Sequence, residues 1–338
     1  MNRFLIVRLG SLGDVIHGIP VAAALRTEFP KGRIDWMVDP KYVELLDLVT
    51  CVDRRIGVDP RAIKHGAGRE RFRETMRELR EMHYDAAIDL QGLLKSAMLA
   101  RSVHATRTIG LPRAHLREPL ARLFYTVAPD PGEATHVIYK NLALLAPLKV
   151  QDRRLRFPLT IPQTATVTQV ASRFAPIGYA LINPGAAWPN KQWPPDRFGA
   201  VAAEIFNDFG LRSLVLWGPG EQEIAHRVVE TSQGAAEASP PTTITDLVGI
   251  AKGARLMISG DTGPMHVAGA VGTPVVAIFG PTRPDRNGPW GLYDVALSRV
   301  DRCSCVYERQ CKKAERCIDD IGIEEVMAAV HRRLDARG

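Results

Sequence analysis

The stretch 256–282, LMISGDTGPMHVAGAVGTPVVAIFGPT, admits few folds. An apolar run, 256–259, ends in the polar loop Gly260-Asp261-Thr262-Gly263-Pro264. Helix-compatible residues follow from Met265 to Val271 and stop at Gly272. The β-branched run Val275-Val276-Ala277-Ile278-Phe279 has no polar alternation, the pattern of a strand buried on both faces of a parallel sheet. Ligands of such units bind where a strand ends and the next helix begins. Here that point carries Asp261, Thr262, a glycine (Gly263) that lets a ligand approach the backbone, and His266 one turn into the helix. Free N–H groups at a helix start favour an anion by about 0.3–1 kcal/mol per charge, so one reading is a phosphate or diphosphate site. The other is an ordinary cap, with Asp261 or Thr262 closing the helix end and His266 packing. On this stretch alone the two stand even.

The same unit recurs along the chain. Residues 4–7 (FLIV) read as a strand, 8–14 (RLGSLGD) as a glycine-bearing loop, and 15–29 as a helix. Further strands are expected at 34–38, 52–58 and 85–90, with helices near 43–49 and 70–82 and another opened by 91–97. The proline-bearing segment 153–162, RRLRFPLTIP, reads as a linker. Strand and helix then alternate again: strands at 179–183 and 213–217, a helix at 196–209, a small flexible segment at 234–241, and a terminal amphipathic helix from Ile323 to Leu334. With 338 residues the chain exceeds what one core usually serves. The expectation is α/β: an N-terminal Rossmann-like domain over 1–158, a C-terminal one over 159–320, and a closing helix over 321–338, the two parallel sheets facing a central cleft.

The first glycine loop limits the chemistry. It is not a Walker loop, because no Gly-Lys-Ser/Thr ends it, and not G-x-G-x-x-G; Asp39, the nearest acidic residue for a ribose, is off pattern. This argues against nucleoside triphosphatases and nicotinamide-dependent dehydrogenases. Asp14 is left at the ligand edge of the first sheet. It can act as a general base toward a substrate hydroxyl, or cap the helix expected from Val15. The second half offers Lys191 beyond Asn183-Pro184-Gly185, and Glu221 after Trp217-Gly218-Pro219-Gly220. A lysine there can neutralise a departing diphosphate, and a glutamate can accept hydrogen bonds from sugar hydroxyls; singly, each is ordinary solvated loop.

A net charge of +7 permits a polyanionic partner. Arg54, Arg55, Arg61 and Lys64 form one basic group, and Arg101, Arg107, Arg113, Arg117 and Arg122 another. As a set they suit carboxylates or phosphates, and any one alone is ordinary surface. Nucleic acid is disfavoured, since no aromatics are interleaved with these charges. No apolar run approaches the ~20 residues of a membrane span and no secretory signal opens the chain, so a cytoplasmic location is expected. Four of the five cysteines, Cys303, Cys305, Cys311 and Cys317, are spaced C-x-C-x5-C-x5-C, without paired C-x-x-C knuckles. Free thiols, a bridge and a metal cluster all stay open, with reduced thiols favoured in the cytoplasm.

The segments VRLGSLGDVIHGIP, YDAAIDLQGLLKSA, REPLARLFY, WPNKQWP and SGDTGPMHVAGAVGTPVVAIFGPT, in this order, resemble the lipopolysaccharide heptosyltransferases of glycosyltransferase family 9. The likeness spans nearly the whole chain, and its middle segments are most similar to the heptosyltransferase I branch, which adds the first heptose to Kdo-lipid A. The resemblance implies a GT-B fold and transfer with inversion from ADP-heptose, a co-substrate, with no cofactor and no metal. It implies an acceptor at the cytoplasmic face of the inner membrane, with the enzyme peripheral there. By the same resemblance Asp14 is the catalytic base and Lys191 the lysine on the donor diphosphate. Asp261, Thr262, Gly263 and His266 form the donor loop, with Glu221 near a sugar- or ribose-contacting glutamate. Ser11, Arg61, Lys64, Lys95 and Arg117 fall where the acceptor would lie. Ala186 and Ala187 stand where heptosyltransferase I has two threonines, so donor contact there would come from backbone N–H. The cysteine segment looks more like heptosyltransferase II. The alternatives are heptosyltransferase II or another family-9 transferase with a different sugar donor, and, on the same fold, a nucleotide-sugar epimerase or non-catalytic binder.

Overall fold

Two stretches of alternating strand and helix build two compact units, Met1–Thr160 and Ile161–Gly338. The computed structural model describes residues 2–59, 66–311 and 316–336.

The first unit carries a five-stranded sheet: β1 (Arg3–Val7), β2 (Arg33–Val38), β3 (Arg54–Gly57), β4 (Tyr84–Asp89) and β5 (Ala105–Ile109), in the order β3-β2-β1-β4-β5. Every pairing is parallel, with Leu5 opposite Asp35 on one side and Ala87 on the other. Leu5, Ile6 and Val7 are wholly buried, which is why the strand shows no polar alternation. The chain moves outward from β1 through β2 to β3, then returns to the far side of β1 as β4. The C-terminal ends of β1 and β4 therefore flank the topological switch point, where open parallel sheets place their ligands.

The second unit repeats the plan with β6 (Ala180–Asn183), β7 (Ser213–Val215), β8 (Ala236–Ala238), β9 (Leu256–Gly260), β10 (Val275–Phe279) and β11 (Val295–Ser298). Their order is β11-β10-β9-β6-β7-β8, again all parallel. The switch point lies between β6 and β9. The closing helix Ile323–Asp335 contributes Val326, Met327, Ala329 and Val330 to the same core as Phe198, Ile258 and Ile278. At about 1.5–3 kcal/mol per fully buried large apolar side chain, its docking is a substantial part of this unit's stability.

Three local expectations change. The first helix begins at Leu12 rather than Val15, with Ser11 as N-cap, so Asp14 lies inside its first turn and is not the cap. The segment read as flexible, 234–241, contains the edge strand β8, whose Ala-Glu-Ala sequence lacks any β-branched signal. Arg54 and Arg55 are committed to the fold: Arg54 pairs with Glu78 at 2.7 Å, and Arg55 Nε donates to Leu46 O at 3.0 Å. Among the described residues no helix is long and apolar enough to cross a membrane.

Candidate functional site

At the first sheet's switch point, Arg8 leaves β1 and is almost wholly buried. Its Nη2 pairs with Asp14 Oδ1, and its Nη1 donates to Leu90 O, just past β4, at 2.5 Å. The adjacent Leu9 N–H donates to Gln91 Oε1 at 2.9 Å, so the loops after β1 and β4 are stapled twice. Asp14 Oδ2 accepts from the Ser11 N–H at 2.9 Å and from Ser11 Oγ at 3.0 Å. The carboxylate thus closes the helix start as the third residue of a capping box, while its side chain stays 36% exposed. Asp14 is a fixed, half-exposed carboxylate at the ligand edge, geometry compatible with a base.

Beneath the loop after β4, Asp89 accepts from Tyr125 Oη (2.8 Å), Gln91 N–H (2.8 Å), Ser96 Oγ (2.9 Å) and Gly92 N–H (3.3 Å). Burial pushes its carboxyl above the usual range despite these four bonds, so Asp89 organises the turn rather than meeting solvent. Lys95 and Arg117 are exposed on the segments that follow. Arg61 and Lys64 lie outside the described residues.

The second switch point centres on Asp261. Its Oδ2 meets Lys191 Nζ at 2.5 Å and Thr282 Oγ1 at 2.8 Å, and its Oδ1 meets Asn287 Nδ2 at 2.7 Å. His266 Nε2 stands 3.7 Å from Oδ1, with its imidazole stacked parallel to the Trp290 indole at 6.3 Å. Burial alone would raise the Asp261 carboxyl; the His266 imidazole and the Lys191 charge outweigh it and hold it below the usual carboxylate range. Asp261 is therefore the anionic hub that positions Lys191 and His266.

Lys191 ends the 3-10 turn Pro189–Lys191, and its ammonium sits 4.6 Å from the centroid of the Trp188 ring. The turn rests directly on the end of β10: a Cβ on Gly280 would come within 2.5 Å of Asn190 O. It is braced from behind by the cysteine segment, through Asn190 Nδ2 donating to Glu308 O (2.9 Å) and Arg316 Nη1 donating to Pro189 O (2.9 Å). Cys303 and Cys305 bring their sulfurs to 3.4 Å. Among the described residues no group of three or more His, Cys, Asp or Glu side chains is arranged to hold a metal ion.

Thr262 is the N-cap residue of the helix Gly263–Ala270, but its side chain does not cap it. Thr262 Oγ1 instead accepts from Asn183 Nδ2 at 3.1 Å and bonds Ser259 Oγ at 3.0 Å, tying the ends of β6 and β9 together. Thr262 Oγ1 thus does not cap the N–H groups of the first turn, where Gly263 and Met265 carry one and Pro264 has none; a helix start of this kind favours an anion. Glu221 Oε2 accepts from the Gly218 N–H at 2.9 Å, and its carboxylate packs against the α-carbon of Gly185, leaving no room there for a methyl group. Ala186 is buried and its carbonyl accepts from Gln192 Nε2 at 2.9 Å, while Ala187 is exposed.

Sequence reasoning missed Arg8, Thr282, Asn287 and Trp290. The cation directly after β1 was a usable signal for Arg8. The other three reach Asp261 and His266 only through the fold.

The model of glycosyltransferase family 9 (heptosyltransferase) matches residues 72–317. Lipopolysaccharide heptosyltransferase 1 of Pseudomonas aeruginosa is 31% identical over 323 residues, covering 91% of this chain and 87% of that protein. The structure of E. coli heptosyltransferase WaaC with ADP superposes with a TM-score of 0.78 at 25% identity, covering 98% of this chain and 99% of that one. The same enzyme with ADP-2-deoxy-2-fluoro heptose gives 0.74 at 25% identity, covering 97% and 99%. The fold is GT-B.

Proposed function

As the chain belongs to glycosyltransferase family 9, the heptosyltransferases, we propose that it transfers L-glycero-D-manno-heptose from ADP-heptose to the Kdo of the lipid A inner core, with inversion. The observation that carries the reading is the second unit's switch point: a partly buried lysine fixed by Asp261 beside a helix start that its own N-cap side chain leaves uncapped. That is a receptor for a diphosphate. The ADP-sugar held by the E. coli heptosyltransferase supports the donor, and the P. aeruginosa relative supports the pathway.

In the proposed reaction an acceptor hydroxyl oxygen forms a bond to C1 of the heptose as the bond from C1 to the diphosphate oxygen breaks. The hydroxyl proton passes to the Asp14 carboxylate. The charge that develops on departing ADP is met by Lys191 and by the N–H groups at the start of Gly263–Ala270. Glu221 and the backbone of Ala186 and Ala187 hold the remainder of the donor, while Ser11, Lys95 and Arg117, with Arg61 and Lys64, receive the anionic acceptor. Asp261 and His266 act behind Lys191. The enzyme works at the cytoplasmic face of the inner membrane, where its acceptor is anchored.

The test is ADP release from ADP-heptose with Kdo-lipid A, run beside an already heptosylated acceptor. Release with the first and not the second is expected; the reverse would assign the chain to a later heptose. Asp14→Asn should lower kcat by about 10²–10⁴-fold while ADP-heptose still binds. Near-native kcat in that variant would remove Asp14 from the role of base.

A further inference from the structure

Large apolar side chains stand in solvent on two adjoining segments of the first unit. The helix Leu94–Ser102 exposes Leu94 (36%) and Met98 (52%), one helical turn apart. The 3-10 helix Pro119–Phe124 exposes Leu120 (61%) and Leu123 (79%), which a three-residue turn places on one side. Their opposite sides are well anchored. Ala97, Leu116, Ala121 and Tyr125 form a small core of their own beneath them. Glu118 Oε2 accepts the Leu94 N–H at 2.6 Å, and Tyr125 and Ser96 both bond Asp89. The exposed leucines thus sit on a firm platform, not on a frayed loop.

The rim of this platform is basic. Lys95 and Arg101 are exposed on the helix, and Arg113 and Arg117 on the chain leading to the 3-10 helix. The one carboxylate among them, Glu118, is engaged by the helix start. A second copy of the chain related by a two-fold axis would set these cations against themselves, which disfavours a homodimer here. An anionic bilayer surface fits both halves of the pattern. Leucine and methionine side chains enter the boundary between headgroups and acyl chains, and the lysine and arginine stems reach the phosphates.

We propose that the exposed faces of Leu94–Ser102 and Pro119–Phe124 form a monotopic docking surface for anionic phospholipid. The proposal uses the lipid-anchored acceptor of the preceding section only as its rationale. Its experiment uses the full chain and vesicles that contain neither donor nor lipid A, so it stands or fails apart from the transfer reaction.

The measurement is co-sedimentation with vesicles of phosphatidylcholine mixed with phosphatidylglycerol, against phosphatidylcholine alone. Partitioning to the mixed vesicles is expected, weakening as salt rises from about 0.1 M towards 1 M. Leu120→Ser with Leu123→Ser should reduce it about ten-fold or more, with an unchanged melting curve because both side chains are solvent-exposed. Arg101→Ala with Arg113→Ala should cost about five-fold per charge on the mixed vesicles and nothing on the neutral ones. The leucine variant should still turn over a detergent-dispersed acceptor as the parent does. Equal partitioning of parent and leucine variant would overturn the proposal. So would a parent that ignores vesicles but sediments as a dimer dispersed by the leucine substitutions.

Discussion

Replacing Asp261 with alanine tests the hub most directly. The carboxylate is 4% exposed and holds Lys191, Thr282 and Asn287, so its loss leaves a largely buried ammonium and two neutral donors without their acceptor. Removing one partner of a buried pair costs about 3–5 kcal/mol, chiefly through the charge left behind. For a domain of this size, about 2–4 °C of melting temperature per kcal/mol gives a fall of about 6–20 °C. The double variant Asp261→Ala with Lys191→Met removes the orphaned charge as well and should recover about 1–3 kcal/mol, read as coupling in a double-mutant cycle. Circular dichroism melts of the four proteins supply the cycle. The pH dependence gives a second reading. The folded carboxyl lies below its unfolded value of about 3.9, so its stabilisation is present above that pH and is lost as pH falls through the folded value. Asp261→Ala should flatten that acid-side decline. A single variant within about 1 kcal/mol of the parent, or additive single and double changes, would refute the hub.

Two further substitutions probe the loops. Arg8→Met removes the cation that holds Asp14 and should lower kcat by about 10²-fold through misplacement, leaving the KM for donor unchanged; Arg8→Lys should restore most of it, and equal losses in both variants would deny Arg8 a positioning role. Gly185→Ala places a methyl where the Glu221 carboxylate lies and turns that flexible side chain aside at little cost in stability, and isothermal titration should show weaker binding of ADP-heptose; unchanged affinity would mean that Glu221 needs no fixed place.

The sheets were readable because their central strands are buried on both faces and spell that burial out, as in Val275–Phe279. β8 was not, because three residues of Ala-Glu-Ala become a strand only by pairing with β7 at the sheet edge. The true start of the first helix was legible in Ser11-Leu12-Gly13-Asp14, whose serine and acid three apart form the capping box. The Lys191 and Asp261 loops could be put on one sheet edge from the repeat of strand and helix. Their direct pairing could not, since it depends on how the 189–191 turn folds back across a sequence separation of 70. Thr282 and Asn287 are ordinary loop residues in sequence, and only the end of β10 brings them to the carboxylate.

With Gly280 letting the 189–191 turn rest on the sheet, and Glu308 and Arg316 gripping it from behind, Lys191 is in position before any ligand arrives. A free lysine side chain surrenders up to about 2 kcal/mol of rotamer entropy when it is ordered, and folding has already incurred that loss here. A ligand of this turn would therefore meet a lysine already ordered, and its affinity would not be reduced by the cost of ordering that side chain.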